Sequence, residues 1–89
     1  MLKLLETKRF KKDLKRMKKR GKAFDRYKVI ITCLINEQEL PSNFYAHKLT
    51  GEWADFWEGH IEPDWLLIYR QTETAIIITR TGTHSDLFS

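Results

Sequence analysis

The sequence predicts an α+β fold in a single domain (residues 1–89): an N-terminal strand, a two-helix hairpin, then a C-terminal antiparallel sheet. Two observations carry this. Apolar residues recur at three- and four-residue intervals from Phe10 to Ile35, the helical period. After residue 53 the pattern changes to runs of aromatic and β-branched residues separated by turn formers, the mark of strands. Leu40–Asn43 lies between the two regimes, and its proline and small polar residues suit a connector.

Leu2–Glu6 reads as a short first strand, and Thr7 as the N-cap of the helix behind it. In that helix Phe10, Leu14 and Met17 make one narrow apolar face, and Gly21 is the expected left-handed terminator. A second helix is expected over 23–37, with Phe24, Tyr27, Ile31, Leu34 and Ile35 as a wider stripe beside Ile30 and Cys33. Strands are expected at 53–58, 65–71 and 75–81. Gly59/Pro63 and Thr72-Glu73-Thr74 should form the turns between them. Helices followed by a meander imply that the helical hairpin covers one face of the sheet.

Eighty-nine residues can bury one modest core, about 60% of the unfolded surface. The 42% hydrophobic and 12% aromatic content argues against disorder. Cys33 stands alone in an apolar stretch, so it should be reduced and buried. No signal peptide or bilayer-spanning run is recognisable, which points to a cytoplasmic protein with no membrane role.

The net charge of +4 is unevenly distributed: residues 1–28 carry +10 and residues 29–89 carry −6. A basic half of this kind suits a polyanionic partner, either nucleic acid or an acidic protein segment.

The chemistry-bearing residues cluster late in the chain, in His60-Ile61-Glu62-Pro63-Asp64-Trp65 and Arg80-Thr81-Gly82-Thr83-His84. Histidine exchanges protons near neutrality. A single histidine is usually a surface or core residue, but strand ends of one meander can bring His47, His60 and His84 to a shared cleft. The wide spacing and the absence of any Cys-x-x-Cys or His-x-x-x-His pair argue against a zinc site. Ser85 and Cys33 lie in no activating motif, and the four glycines form no phosphate loop. Glu62 and Asp86 are expected to be plainly solvent-exposed.

Metal-free RNA cleavage fits these residue types. A base takes the ribose 2′-hydroxyl proton, an acid protonates the departing 5′-oxygen, and a cation holds the phosphate charge. Trp65 and Phe88 are candidates for stacking on bases, although core packing at a strand start suits Trp65 equally well. Trp53, Phe56 and Trp57 should contribute to the sheet core.

At these residues the sequence resembles the YafQ branch of the RelE-like toxins. The ordered matches are His47-Lys48-Leu49-Thr50-Gly51-Glu52-Trp53, His60 through Tyr69, and Thr81 through Phe88. The resemblance implies a RelE-like microbial ribonuclease-type fold. It also implies a type II toxin: a ribosome-dependent endoribonuclease that cuts mRNA in the A site without metal or cofactor. It implies roles for His47, His60, Asp64, His84 and Phe88, with Trp65 adjoining. His84 is then the leading general acid, Asp64 or His60 the base, and His47 a positioning or assisting group.

The family's arginine three residues ahead of the second histidine is replaced here by Trp57, so Arg80 is the expected phosphate-holding cation. Lys11, Lys12, Lys15, Arg16, Lys18, Lys19 and Arg20 are expected to contact ribosomal RNA backbone. The implied partners are a DinJ/RelB-like antitoxin, the ribosome and mRNA, and operator DNA through the antitoxin. The alternative is a weakly active or non-catalytic nucleic-acid-binding partner that represses its own promoter together with its antitoxin.

Overall fold

A computed structural model describes residues 1–88. The chain runs β1 (Lys3–Glu6), α1 (Lys8–Lys19), α2 (Phe24–Ile35), β2 (His47–Lys48), β3 (Trp57–Glu62), β4 (Trp65–Gln71), β5 (Ala75–Gly82) and α3 (His84–Phe88). Single 3₁₀ turns occupy Ser42–Phe44 and Gly51–Trp53. The five strands form one sheet in the order β1-β5-β4-β3-β2. Every pairing is antiparallel except β1 with β5. Among the described residues, no helix is long and apolar enough to cross a membrane.

The helical expectations hold closely. Thr7 caps α1, its hydroxyl accepting the Phe10 N–H at 3.0 Å and donating to the Thr79 carbonyl at 2.9 Å. One residue therefore both starts the helix and ties it to β5. Gly21 takes φ +87° just past the helix end, where a side chain would be strained. Phe10 and Met17 are buried, with Tyr27, Ile30, Ile31 and Leu34 of α2. They join Ile61, Trp65, Leu67, Tyr69, Ile76 and Ile78 of the sheet in one core. Cys33 departs from expectation in being half-buried.

The third strand needed correction. The aromatic run at 53–58 suggested a strand, yet Gly51–Trp53 is a 3₁₀ turn and β3 begins only at Trp57. Gly59, expected in a turn, lies within β3, and the reversal falls at Pro63–Asp64. Packing explains the glycine: a Cβ at 59 would run into the tip of the Phe44 ring, which lies against that strand. Alternating side chains then place Trp57, Gly59 and Ile61 toward the helices, and Glu58 and His60 toward the opposite face.

Candidate active site

Three segments meet at one end of the sheet: the end of β3, the β3–β4 turn, and the start of α3. His60 comes from the first, Asp64 from the second and His84 from the third. One carboxylate oxygen of Asp64 accepts two hydrogen bonds from His84, from the ring Nδ1 at 2.7 Å and from the backbone N–H at 3.0 Å. These bonds, the side-chain one first, hold the Asp64 carboxyl below its usual range. An ionised carboxylate only accepts, so the proton is on Nδ1 and His84 offers Nε2 for exchange. The His60 ring lies 6.1 Å from that of His84 and 6.3 Å from that of Tyr45. Its Nδ1 is buried and has no hydrogen-bond partner among the described residues.

His47 sits at the sheet edge opposite Glu58. Its Nδ1 donates to the Tyr45 carbonyl at 3.2 Å, and its Nε2 lies 3.4 Å from the Glu58 carboxylate. Strand alternation puts Glu58, Ile68 and Arg80 in one row across β3, β4 and β5, with His60 one step along the same face. Arg80 is therefore on the histidine face. Its guanidinium is held by the buried Asp13 of α1, Nε to Oδ2 at 2.6 Å and Nη2 to Oδ1 at 3.4 Å. Asp13 also accepts the Thr81 backbone N–H at 3.3 Å. Trp57 faces the other side and packs on the core, so an arginine at 57 would point away from His60.

The two stacking candidates separate. Phe88 is 45% exposed, with Trp53 edge-on at 6.3 Å, and can present its ring to solvent. Trp65 is 0% exposed and donates its indole N–H to Thr81 Oγ1 at 2.8 Å. The expectation that Trp65 stacks on a base gives way to its core role, because no ring face is open.

The basic helix also divides. Arg20 donates to both oxygens of Asp86, at 2.6 and 3.2 Å, and Arg16 lies 3.9 Å from the same carboxylate. Lys18 stands over the Phe24 ring at 4.0 Å. Lys11, Lys12, Lys15 and Lys19 are exposed. Glu62 and Asp86, read from sequence as simply exposed, are both partly buried. Glu62 takes Lys22 at 3.1 Å and Arg26 at 3.4 Å, while Asp86 holds α1 to α3.

The family described as bacterial toxin of type II toxin-antitoxin system, YafQ, matches residues 2–89. The chain belongs to the YafQ toxin family. The mRNA interferase toxin YafQ of Escherichia coli K12 is 41% identical over 80 residues, covering 89% of this chain and 87% of that one. The crystal structure of YafQ from E. coli BL21(DE3) superposes with TM-score 0.93 at 36% identity, covering both chains fully. The toxin in the E. coli DinJ–YafQ complex gives TM-score 0.90 at 37% identity, covering 99% of this chain and 98% of that one.

Sequence reasoning missed Asp13, Glu58, Asp86 and Tyr45 in this YafQ-family toxin. Asp13 left a trace, being the only acid in a helix of cations and spaced to meet Arg9 and Arg16. The other three gave no signal, because what defines them is proximity across the fold.

Proposed function

We propose that this YafQ-family toxin is a ribosome-dependent endoribonuclease that cleaves mRNA in the A site by acid–base chemistry, silenced by a DinJ-like antitoxin. The observation that carries this reading is the His84–Asp64 pair beside His60. With Nδ1 occupied by Asp64, His84 delivers a proton from Nε2 to the departing 5′-oxygen. His60 takes the 2′-hydroxyl proton as that oxygen attacks phosphorus. The products are a 2′,3′-cyclic phosphate and a 5′-hydroxyl. Rings 6.1 Å apart allow one phosphodiester to touch both.

Asp64, rather than acting as the base, orients His84. Arg80 stabilises the phosphate from the same sheet face, steadied by Asp13. His47, paired with Glu58, positions the neighbouring nucleotide. Phe88 offers a stacking surface. The exposed lysines of α1 contact ribosomal RNA backbone, where an acidic antitoxin would compete. Operator DNA is reached through that antitoxin, and the setting is the cytoplasm, where ribosomes translate.

Primer-extension mapping of mRNA after induced expression in bacteria tests the reading. Cuts are expected within translated reading frames, and none with His84→Ala. Growth arrest that persists in His84→Ala without cuts would sink the nuclease and favour the non-catalytic alternative.

A further inference from the structure

Helix α1 presents two different edges. Lys11, Lys12, Lys15 and Lys19 are exposed. Asp13, Arg16 and Arg20, spaced by three and four residues, fall on one stripe and meet Arg80 and α3.

Asp13 is the unusual member of that stripe. Its side chain is 4% exposed, with the fully buried Phe10 and Met17 one turn to either side. A buried ion pair is often no more stabilising than apolar residues of the same volume, so packing α1 on β5 does not account for a carboxylate here. What a carboxylate can do, and a leucine cannot, is fix a guanidinium. Arg80 Nε and Nη2 meet its two oxygens at 2.6 and 3.4 Å, and the Thr81 N–H adds a third bond at 3.3 Å. That side-on hold removes the rotational freedom of a long side chain and leaves Nη1 outside the pair.

Arg16 extends the hold. Its Nη2 lies 3.5 Å from Asp13 Oδ1 and 3.9 Å from Asp86 Oδ2. Asp86 accepts the Thr83 N–H at 2.9 Å, one residue before His84. One guanidinium therefore stands between the carboxylate that holds Arg80 and the carboxylate that seats the helix of His84.

We propose that Asp13 and Arg16 are positioning residues for RNA cleavage: Asp13 aims Arg80, and Arg16 sets the spacing between Arg80 and α3. This rests on the nuclease reading, in which Arg80 holds the phosphate and His84 supplies the proton. It also moves Arg16 from the ribosome-facing cations to the frame of the site.

Full-chain variants would be assayed for cutting of ribosome-bound mRNA over a range of toxin concentrations. This separates the limiting rate from the concentration that gives half of it. Arg80→Gln should lower the limiting rate by about 10²–10³-fold. Asp13→Asn should lower it by roughly 10- to 100-fold, and Arg16→Gln by about fivefold or more, each with the half-saturating concentration unchanged. Added to Arg80→Gln, Asp13→Asn should cost no further rate, because the group it aims is gone.

A rate loss that persists in the Arg80→Gln background, or that follows the thermal midpoint, makes Asp13 a structural clamp and overturns its part. A higher half-saturating concentration at full limiting rate makes Arg16 a ribosome contact and overturns the other. A measurement on the unmodified toxin covers an Asp13→Asn chain that does not fold: the Arg80 Nε–H NMR signal should be one line protected from exchange. Rapid exchange of that proton with water overturns the hold.

Slow cutting by Arg80→Gln with full rates in Asp13→Asn and Arg16→Gln refutes the positioning alone. An unmodified toxin that does not cut, or an Arg80→Gln chain at full rate, refutes the reading beneath it as well.

Discussion

Two carboxylates bond the start of the same short helix, Asp86 from within it and Asp64 from the β3–β4 turn, and do different work. Asp86 is 13% exposed at its side chain and is surrounded by donors: Arg20 twice, Thr83 N–H at 2.9 Å, and Arg16 at longer range. Asp64 is 63% exposed, and among the described residues His84 supplies its hydrogen bonds. Both carboxyls lie below their usual range, Asp86 through Arg20 first and Asp64 through the His84 ring first. Asp86 decides where α3 lies, whereas Asp64 decides which nitrogen of His84 is left open. A closed ring of donors makes a clamp; a carboxylate with one histidine leaves that histidine free to react.

Removing the reactive end should have the largest effect. His84→Ala is expected to lower the rate of mRNA cleavage by about 10²–10⁴-fold while leaving the thermal midpoint nearly unchanged, compared by in vitro translation and thermal melting. Asp64→Asn should cut the same rate by less, again with little change in melting, because it disturbs only the orientation of the ring. Equal activity of Asp64→Asn and the unmodified toxin would dissolve the distinction drawn between the two carboxylates.

Breaking the frame behind both should instead show in stability. Gly59→Ala presses on the Phe44 ring and is expected to cost about 1–3 kcal/mol, read as a lower urea midpoint. Asp86→Ala loses its bond to the Thr83 N–H, for about 1 kcal/mol, and should weaken cleavage by loosening α3.

The subtlest contrast is in pH. A carboxyl whose folded pKa is depressed adds stability above its unfolded pKa, near 4, and loses it as pH falls toward the folded value. Urea midpoints of the unmodified toxin should therefore decline below about pH 4, and Asp86→Asn should flatten part of that decline. An identical slope in the variant would remove Asp86 from the clamp.

The helices were legible because their signals are local. The Thr7 cap, the Phe10–Met17 face and Gly21 each depend on residues within a turn or two. The start of β3 was not, since Trp53 and Phe56 have strand-like side chains but pack against each other, 5.4 Å apart, outside the sheet. Trp65 shows the same limit in the site: its motif position drew attention, while burial depends on strands and helices far along the chain. Residue 57 likewise shows what register adds, as residues 57 and 60 face opposite sides of one strand.

By itself the sequence determined the two long helices and the order of the main strands, the family, and the identities of His47, His60, Asp64 and His84, because periodicity and motif are properties of neighbours in the chain. Tertiary structure alone decided which of them act together. It joined Asp64 to His84 across 20 residues and Arg80 to Asp13 across 67. It also brought Tyr45 to the ring of His60 and turned Trp65 inward. Hydrogen bonds and burial operate over a few ångströms of space, and only the folded chain defines that distance.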